Sequence, residues 1–544
     1  MKPDRPLPDA DTLQRQLVEA LHTPDCYPHP VGTVRLLETH ISRVLLTGDF
    51  AYKLKKPVDL GFVDFSTLAL RRRDCEDELR LNRRLAPELY LALVTFCGDP
   101  RAPRLRCDAD ADAADVIDYA VQMREFPQDA LLDRIAARGA LTPDTVDAIA
   151  DAMAHFHESV ARAGIDDIYG TRTTVWDPVA NIIAPLRASA QNADEGALLS
   201  RLDAWCTGEY ARLETFFAAR KRDGFVREGH GDLHLGNIAL LHGRPQVFDC
   251  IEFSAALRWV DVICEVAFLF MDLEAHGRSD LAWRFLNRYL EHGGDYAGLA
   301  ALRFHHAYRA LVRAYVAGIR AAQPDAASHP QATLDRARYL ACAARVLRKP
   351  APQLLLMHGL SGSGKSYWAG IALELIGAVR VRSDVERKRL NGLDPTARSG
   401  SPVDGGIYAE AATRATYARL AELTTGLLAE GHSVIVDAAH LKRWQRDALR
   451  TTALALGLPC RILSCVAAPA TRLARLRARA AAGLDASEAS ATVLMHQREH
   501  CEPLAADEQA ITLEIDSERA TPELLRRSLA APSHAARVRD HAPS

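Results

Sequence analysis

Eight residues, Gly359-Leu360-Ser361-Gly362-Ser363-Gly364-Lys365-Ser366, constrain this chain more than any other feature. They follow an apolar run, Leu354 to His358, and open a helical pattern that begins at Lys365. Glycines at that spacing let backbone N–H groups turn inward around an anion, and the helix N-terminus adds partial positive charge. The lysine then reaches the outer phosphate oxygens and the serine hydroxyl suits magnesium. Gly359, Ser361, Gly362, Ser363, Gly364, Lys365 and Ser366 are therefore the expected nucleotide-phosphate site, with Ser366 as a metal ligand. Further strands are expected at Ala378 to Val381, Ser433 to Val436 and Arg461 to Cys465, an alternation that predicts a parallel α/β sheet with helices on both faces.

Open sheets of that kind bind ligands beyond the carboxyl ends of their strands. Asp384, just past the second strand, is a candidate proton acceptor for an attacking hydroxyl, and Arg387, one helical turn on, a grip for an anionic group. A helix N-cap Asp beside a solvated basic face is the competing reading. Asp437 ends the strand Ser433 to Val436 and is placed to hold magnesium directly or through water. Arg475 and Arg479, at i and i+4, share a helix face and suit a lid over a transferring phosphoryl group; a solvated arginine face is the alternative. From Gln353 to Glu518 there are 19 basic and 19 acidic residues, and a neutral domain argues against polynucleotide binding.

Together GLSGSGKS, RSDVERKRL, VIVDA and RLRAR resemble the P-loop kinase group that includes zeta-toxin-like and polynucleotide-kinase-like domains of AAA type, over Gln353 to Ser517. The resemblance implies phosphorylation of a hydroxyl, with Asp384 as base, Arg387 on the substrate, Asp437 near magnesium and Arg475 and Arg479 in the lid.

The first half carries a different constellation. His230-Gly231-Asp232-Leu233-His234-Leu235-Gly236-Asn237 sets an Asp five residues before an Asn, and Asp249 follows the short strand Gln246 to Phe248. The turn His242-Gly243-Arg244-Pro245 makes Ile238 to Asp249 a hairpin, which brings Asn237 and Asp249 side by side. Asp232 would then accept a substrate proton while Asn237 and Asp249 hold metal. Upstream, three of the chain's nine lysines fall within Lys53 to Lys56. Lys53, in Phe50-Ala51-Tyr52-Lys53, is the expected phosphate-binding lysine, and Lys55, on the same strand face, is its rival. Glu78 is the expected acidic partner, with Glu76 the alternative. Met123, closing a strand before Pro127, is placed to receive adenine.

These motifs resemble the aminoglycoside phosphotransferase family and its relatives acting on choline and other small alcohols, from about Val34 to Tyr315. That resemblance implies a protein-kinase-like bilobal fold. No Gly-rich loop stands near residues 36 to 48, where Thr39-His40-Ile41-Ser42 is the expected substitute, and Asp249 is followed by Cys250-Ile251. Both departures point away from protein substrates.

At 544 residues the chain is too long for one core. The expected organisation is an N-terminal extension (1–30), a kinase-like domain (31–320), a linker with a helix (321–352), a P-loop domain (353–518), and a C-terminal helix with a tail (519–544). The whole order resembles bacterial fusions of an aminoglycoside phosphotransferase-like domain with a P-loop ATP-binding domain. A net charge of -3 supplies no global field for nucleic acid or membrane. Eleven scattered cysteines without a C-x-x-C pair, and no apolar leader, fit a reducing cytoplasm. Val260 to Met271, broken by Asp261 and Glu265, reads as a buried core helix. His155, His157, His305 and His306 read as packing residues, and His496-Gln497-Arg498-Glu499-His500 lacks a third metal ligand. The expectation is an ATP- and magnesium-dependent kinase with two sites for small-molecule hydroxyls. A nucleotide sensor, an ATPase driving conformational change, or a polynucleotide 5'-kinase in place of one site are the competing readings. Oligomeric state has no sequence signature here.

Overall fold

The computed structural model describes residues 9–39, 41–61, 63–106, 115–322, 330–482 and 485–530. His40 of the expected loop substitute, and the tail beyond 530, lie outside them. Two compact units divide the chain: Met1–Leu199 with Cys206–Asp272, and Ser200–Trp205 with Leu273–Ser544. Compactness thus cuts the chain between Asp272 and Leu273, ahead of the linker expected at 321–352.

The first unit holds a six-stranded antiparallel sheet in the order Arg35–Glu38, Ser42–Leu46, Phe50–Lys55, Val116–Arg124, Tyr90–Asp99, Ala102–Arg106. Alternation decides what each face does. Tyr52 and Leu54 join Val94, Phe96 and Ala120 in a core closed by Leu17 and Val18 of the helix Ala10–Ala20 and by Leu21 at its C-cap. The segment read as an extension is therefore part of this fold; its Gln14 donates to Lys55 O (2.7 Å) and to Asp118 (2.6 Å). Ala51, with Val121 and Met123, faces the helix Leu68–Asn82, whose Cys75 packs among them. Lys53 and Lys55, in phase with Ala51, face that same helix. Thr39 N donates to Ser42 O (2.9 Å), closing a tight hairpin where a Gly-rich loop was missing.

The hairpin Ile238–Leu241 with Arg244–Val247 forms as expected, and its turn residues His242 (φ 49°) and Gly243 (φ 75°) are both left-handed, as a two-residue hairpin turn requires. The helix Val262–Ala275 is buried through Ile263, Val266, Phe268 and Met271.

In the second unit five parallel strands run in the order Ala378–Arg382, Ser433–Asp437, Leu354–His358, Cys460–Val466, Thr512–Asp516. On one face Trp368, Ala372 and Leu373 of the helix Lys365–Ile376 pack on Leu355, Met357, Ile435 and Leu463. The helix Glu410–Ala429 covers strands Ser433–Asp437 and Ala378–Arg382 from the other. The edge strand is capped from upstream sequence: on the helix Ser279–Gly293, Asn287 donates to Ala378 O (2.8 Å) and accepts from Arg380 N (2.6 Å). Those bonds are why helices placed in the first domain by sequence pack with the P-loop sheet. The last strand, Thr512–Asp516, was not anticipated.

Candidate active sites

In the first unit the two rival lysines have different surroundings. Lys53 Nζ lies 2.8 Å from Glu78 and 2.6 Å from Asp249, with its side chain 15% exposed. Lys55, 0% exposed, is enclosed by Asp74 (2.8 Å), the other oxygen of Glu78 (2.6 Å) and Glu252. Only Lys53 joins the metal-type residue Asp249 and reaches solvent. Glu78 is buried between both lysines, whereas Glu76 is half-exposed and pairs with Arg72 (2.9 Å). Burial opposes every charge in this cluster, yet Asp249 and then Glu78 raise Lys53 well above the ordinary lysine value. Lys53, followed by Lys55, holds Glu78 below the ordinary carboxylate value. Glu252 loses that contest: burial carries it up to about 7 despite Lys55.

Asn237 Nδ2 donates to Asp232 Oδ2 (3.0 Å), which also lies 3.3 Å from His234 Nε2. Phe248 N donates to Asn237 O (3.0 Å), so the hairpin delivers Asn237 and Asp249 to one end. Asp249 has φ 61°, a left-handed backbone that a non-glycine residue holds only when its surroundings fix it. Asp249 N donates to Tyr90 Oη (3.1 Å) and Cys250 N to Asn82 Oδ1 (2.8 Å). Glu265, which sequence offered only as a break in an apolar helix, accepts from the backbone of His230 and Gly231 and pairs with His157 (2.8 Å). It is held at about 2 against burial by His157, then His230. An acid within the apolar stretch Val262 to Met271 was the signal available for it. His157 is buried as expected, but His155 is exposed. Met123 is paired with Ala51 and Tyr90 within the sheet and packs in the core, so the chain leaves the strand only after Arg124.

In the second unit Gly359, Gly362 and Gly364 have φ of 131°, 77° and 94°. A Cβ at Gly362 would stand 2.6 Å from Arg472 O, so backbone crowding and conformation both demand glycine. Lys365 Nζ donates to Leu360 O (3.0 Å), and burial pulls it below the ordinary lysine value while Asp437 opposes. Ser361 N donates to Gln497 Oε1 (2.8 Å), a contact from the helix Ala491–His500 that sequence did not indicate. Ser366, Asp384, Arg387, Asp437, Arg475 and Arg479 all line one cavity of about 650 Å³ with the loop.

Arg387 donates to Ile407 O (2.9 Å) and Thr413 Oγ1 (3.1 Å) and lies over the Tyr408 ring. Arg475 donates to Ser517 Oγ (2.8 Å) and Gly362 O (3.4 Å), and Arg479 to Ala489 O (3.1 Å). Asp437 is buried with its Oδ2 lacking a hydrogen-bond partner. Its ladder neighbour Arg382 sits 3.8 Å away and also pairs with Asp485 (3.0 Å) and Glu291 (3.3 Å). Arg382 and Glu291 were missed because ion pairs between distant segments leave no spacing in sequence. His496 pairs with Asp404 (2.9 Å) and its ring lies 4.1 Å from that of His500, tilted by 34°, and the metal-type clusters among the described residues lie elsewhere.

Fold and constellations together define an ATP-dependent phosphotransferase, a protein-kinase-like unit joined to a P-loop kinase unit. The AAA domain family model matches residues 354–504. The uncharacterized protein Rv2004c of Mycobacterium tuberculosis (strain ATCC 25618 / H37Rv) is 34% identical over 415 residues, covering 76% of this chain and 80% of that protein. Uncharacterized protein Mb2027c of Mycobacterium bovis matches to the same extent. The chain belongs to the family of these mycobacterial proteins. Among solved structures, a choline kinase from Cryptosporidium parvum Iowa II is similar at 11% identity over 62% of this chain and 96% of that one, TM-score 0.38. A gluconokinase from Sinorhizobium meliloti 1021 is similar at 21% identity over 36% and 99%, TM-score 0.26. No helix of the described residues is long and apolar enough to cross a membrane.

Proposed function

We propose that the chain carries two separate phosphotransfer sites, each moving the γ-phosphate of ATP to the hydroxyl of a small molecule with magnesium. The observation that carries this reading is that each unit holds its own set of phosphate-binding cation, proton acceptor and oxygen donors. In the first, Lys53, fixed between Glu78 and Asp249, holds phosphate oxygens, and Asp232, oriented by Asn237, takes the hydroxyl proton. Asn237 and Asp249 offer oxygen donors of the kind a hard cation takes.

In the second, the glycine loop and Lys365 cradle the phosphates, and Ser366 and the buried Oδ2 of Asp437, which accepts no hydrogen bond, would hold the metal. Asp384 takes the proton, Arg387 grips the acceptor, and Arg475 and Arg479 face the transferring group. Magnesium, when bound, neutralises phosphate charge; the protein supplies alignment and fixed positive charge. A cavity of about 650 Å³ is in the range of small-molecule sites. That size, with the neutral charge of 353–518, favours a metabolite over a polynucleotide.

Wild type, Asp232→Asn and Lys365→Ala, incubated with ATP and magnesium against a metabolite library, test this. Each variant should lose a distinct phosphorylated product. A variant that keeps every product marks its unit as a sensor or scaffold, and loss of all products from either change refutes independent sites.

A further inference from the structure

Outside both candidate sites, three side chains of the second unit, carried by three helices, converge on one point. Glu274 comes from the end of the helix Val262–Ala275, His306 from Leu302–Ala321 and Cys342 from Pro330–Ala343. His306 Nε2 lies 3.0 Å from Glu274 Oε2 and 3.6 Å from Cys342 Sγ. His306 and Cys342 are buried and Glu274 nearly so. A Cys–His–acid nucleophile would need thiol and acid on opposite ring nitrogens, so that the acid orients the imidazole while the other nitrogen takes the thiol proton. Here both meet the same nitrogen. One imidazole nitrogen is either a donor or an acceptor, so it makes a strong bond to one neighbour only. A cation at the point of convergence would meet one ligand atom of each.

We propose that Glu274, His306 and Cys342 form a binding site for a borderline-soft divalent metal ion, zinc fitting best. Tetrahedral zinc with ordinary Zn–N, Zn–O and Zn–S lengths sets its ligands about 3.3 Å (N to O) and about 3.6 Å (N to S) apart. The observed separations, 3.0 and 3.6 Å, match that spacing closely. Thiolate and carboxylate together neutralise the ion, and imidazole and thiolate favour zinc over magnesium or calcium. The carboxylate is further fixed from outside: Arg345 Nη1 reaches Oε2 (2.9 Å) and Ser279 Oγ donates to Oε1 (3.0 Å). Such outer contacts orient metal ligands. The site ties side chains from three helices to one ion, so its role is structural, and metal affinity adds to folding free energy. The other converging group, Asp74 with Glu78 and Glu252, carries no such inference, because the Lys55 ammonium already stands among its oxygens.

The test uses full-length protein stripped with a chelator and titrated with cobalt(II), then zinc(II). Wild type should develop a thiolate-to-cobalt absorption band in the near ultraviolet, bleached by stoichiometric zinc, and zinc should raise its thermal midpoint. Cys342→Ser and His306→Gln should lose the band and the zinc-induced shift, while Cys501→Ser keeps both. Far-UV circular dichroism selects the folded variants, and if Cys342→Ser does not fold, His306→Gln decides. A wild type without the band, or a folded ligand variant that retains it, overturns the proposal. Neither readout depends on kinase activity.

Discussion

Glu291 and Arg382, 91 residues apart in sequence, are ion-paired at 3.3 Å beside the P-loop cavity. Glu291 also holds Arg380, and Arg382 continues to Asp485 and toward Asp437. A helix outside the motif-bearing segment therefore fixes a cation next to the expected metal carboxylate.

Glu291→Gln should deprive Arg380 of its carboxylate in a poorly solvated place and remove one of the carboxylates around Arg382. Removing one partner of a buried pair costs about 3–5 kcal/mol, and urea unfolding measures it. The Arg380 and then Arg382 charges, outweighing burial, hold Glu291 at about 2, below its ordinary 4.5. Its stabilisation is thus complete above about pH 4.5 and lost as pH falls toward 2. The wild-type stability curve should slope across that window, and the Gln variant's slope should be shallower.

Lys53→Met and Lys55→Met should separate function from stability. The first removes the accessible ammonium and should abolish ATP turnover by the first unit with a cooperative fold retained. The second leaves Asp74, Glu78 and Glu252 without their shared cation and should destabilise by about 3–5 kcal/mol. Thermal melts with product assays distinguish the two, and equal melting points would contradict the assignment.

Gln497→Ala should tighten nucleotide binding to the second unit. Gln497 Oε1 accepts the Ser361 N–H that a phosphate would otherwise take. A hydrogen bond of this kind contributes about 0.5–1.5 kcal/mol, so affinity should rise about 2- to 10-fold. Titration with a fluorescent ATP analogue reads it, and weaker binding would show that Gln497 supports the loop instead.

Gly362→Ala should disable only the second site. Its φ of 77° and a Cβ 2.6 Å from Arg472 O force the loop to shift. Calorimetric ATP binding should fall to the level contributed by the first unit.

Sequence read best where chemistry is local. The strand-loop-helix around Gly359 to Ser366 and the hairpin from Ile238 to Val247 follow from turn chemistry within a few residues. The strand Tyr90–Asp99 escaped because it does not alternate cleanly, and Thr512–Asp516, which does alternate, because five residues are too few to stand out; partners distant in sequence decide the register of both. The same holds for the sites. The cluster of Asp232, Asn237 and Asp249 can be read from spacing, whereas Glu265 under the His230–Gly231 backbone and Glu291 beside the P-loop cavity act through partners that only folding supplies. The choice between Lys53 and Lys55 was undecidable on one strand face, since what separates them is the depth of the helix Leu68–Asn82 across the sheet.

That helix carries one more implication. In kinases regulated by helix position, activity is governed by making and breaking the lysine–glutamate pair. Glu78 divides its two oxygens between Lys53 and the wholly enclosed Lys55, so swinging the helix outward would also leave a buried ammonium with less countercharge. An outward swing is thereby made costly, and on the function proposed above the first unit would keep its lysine–glutamate pair assembled without a regulator.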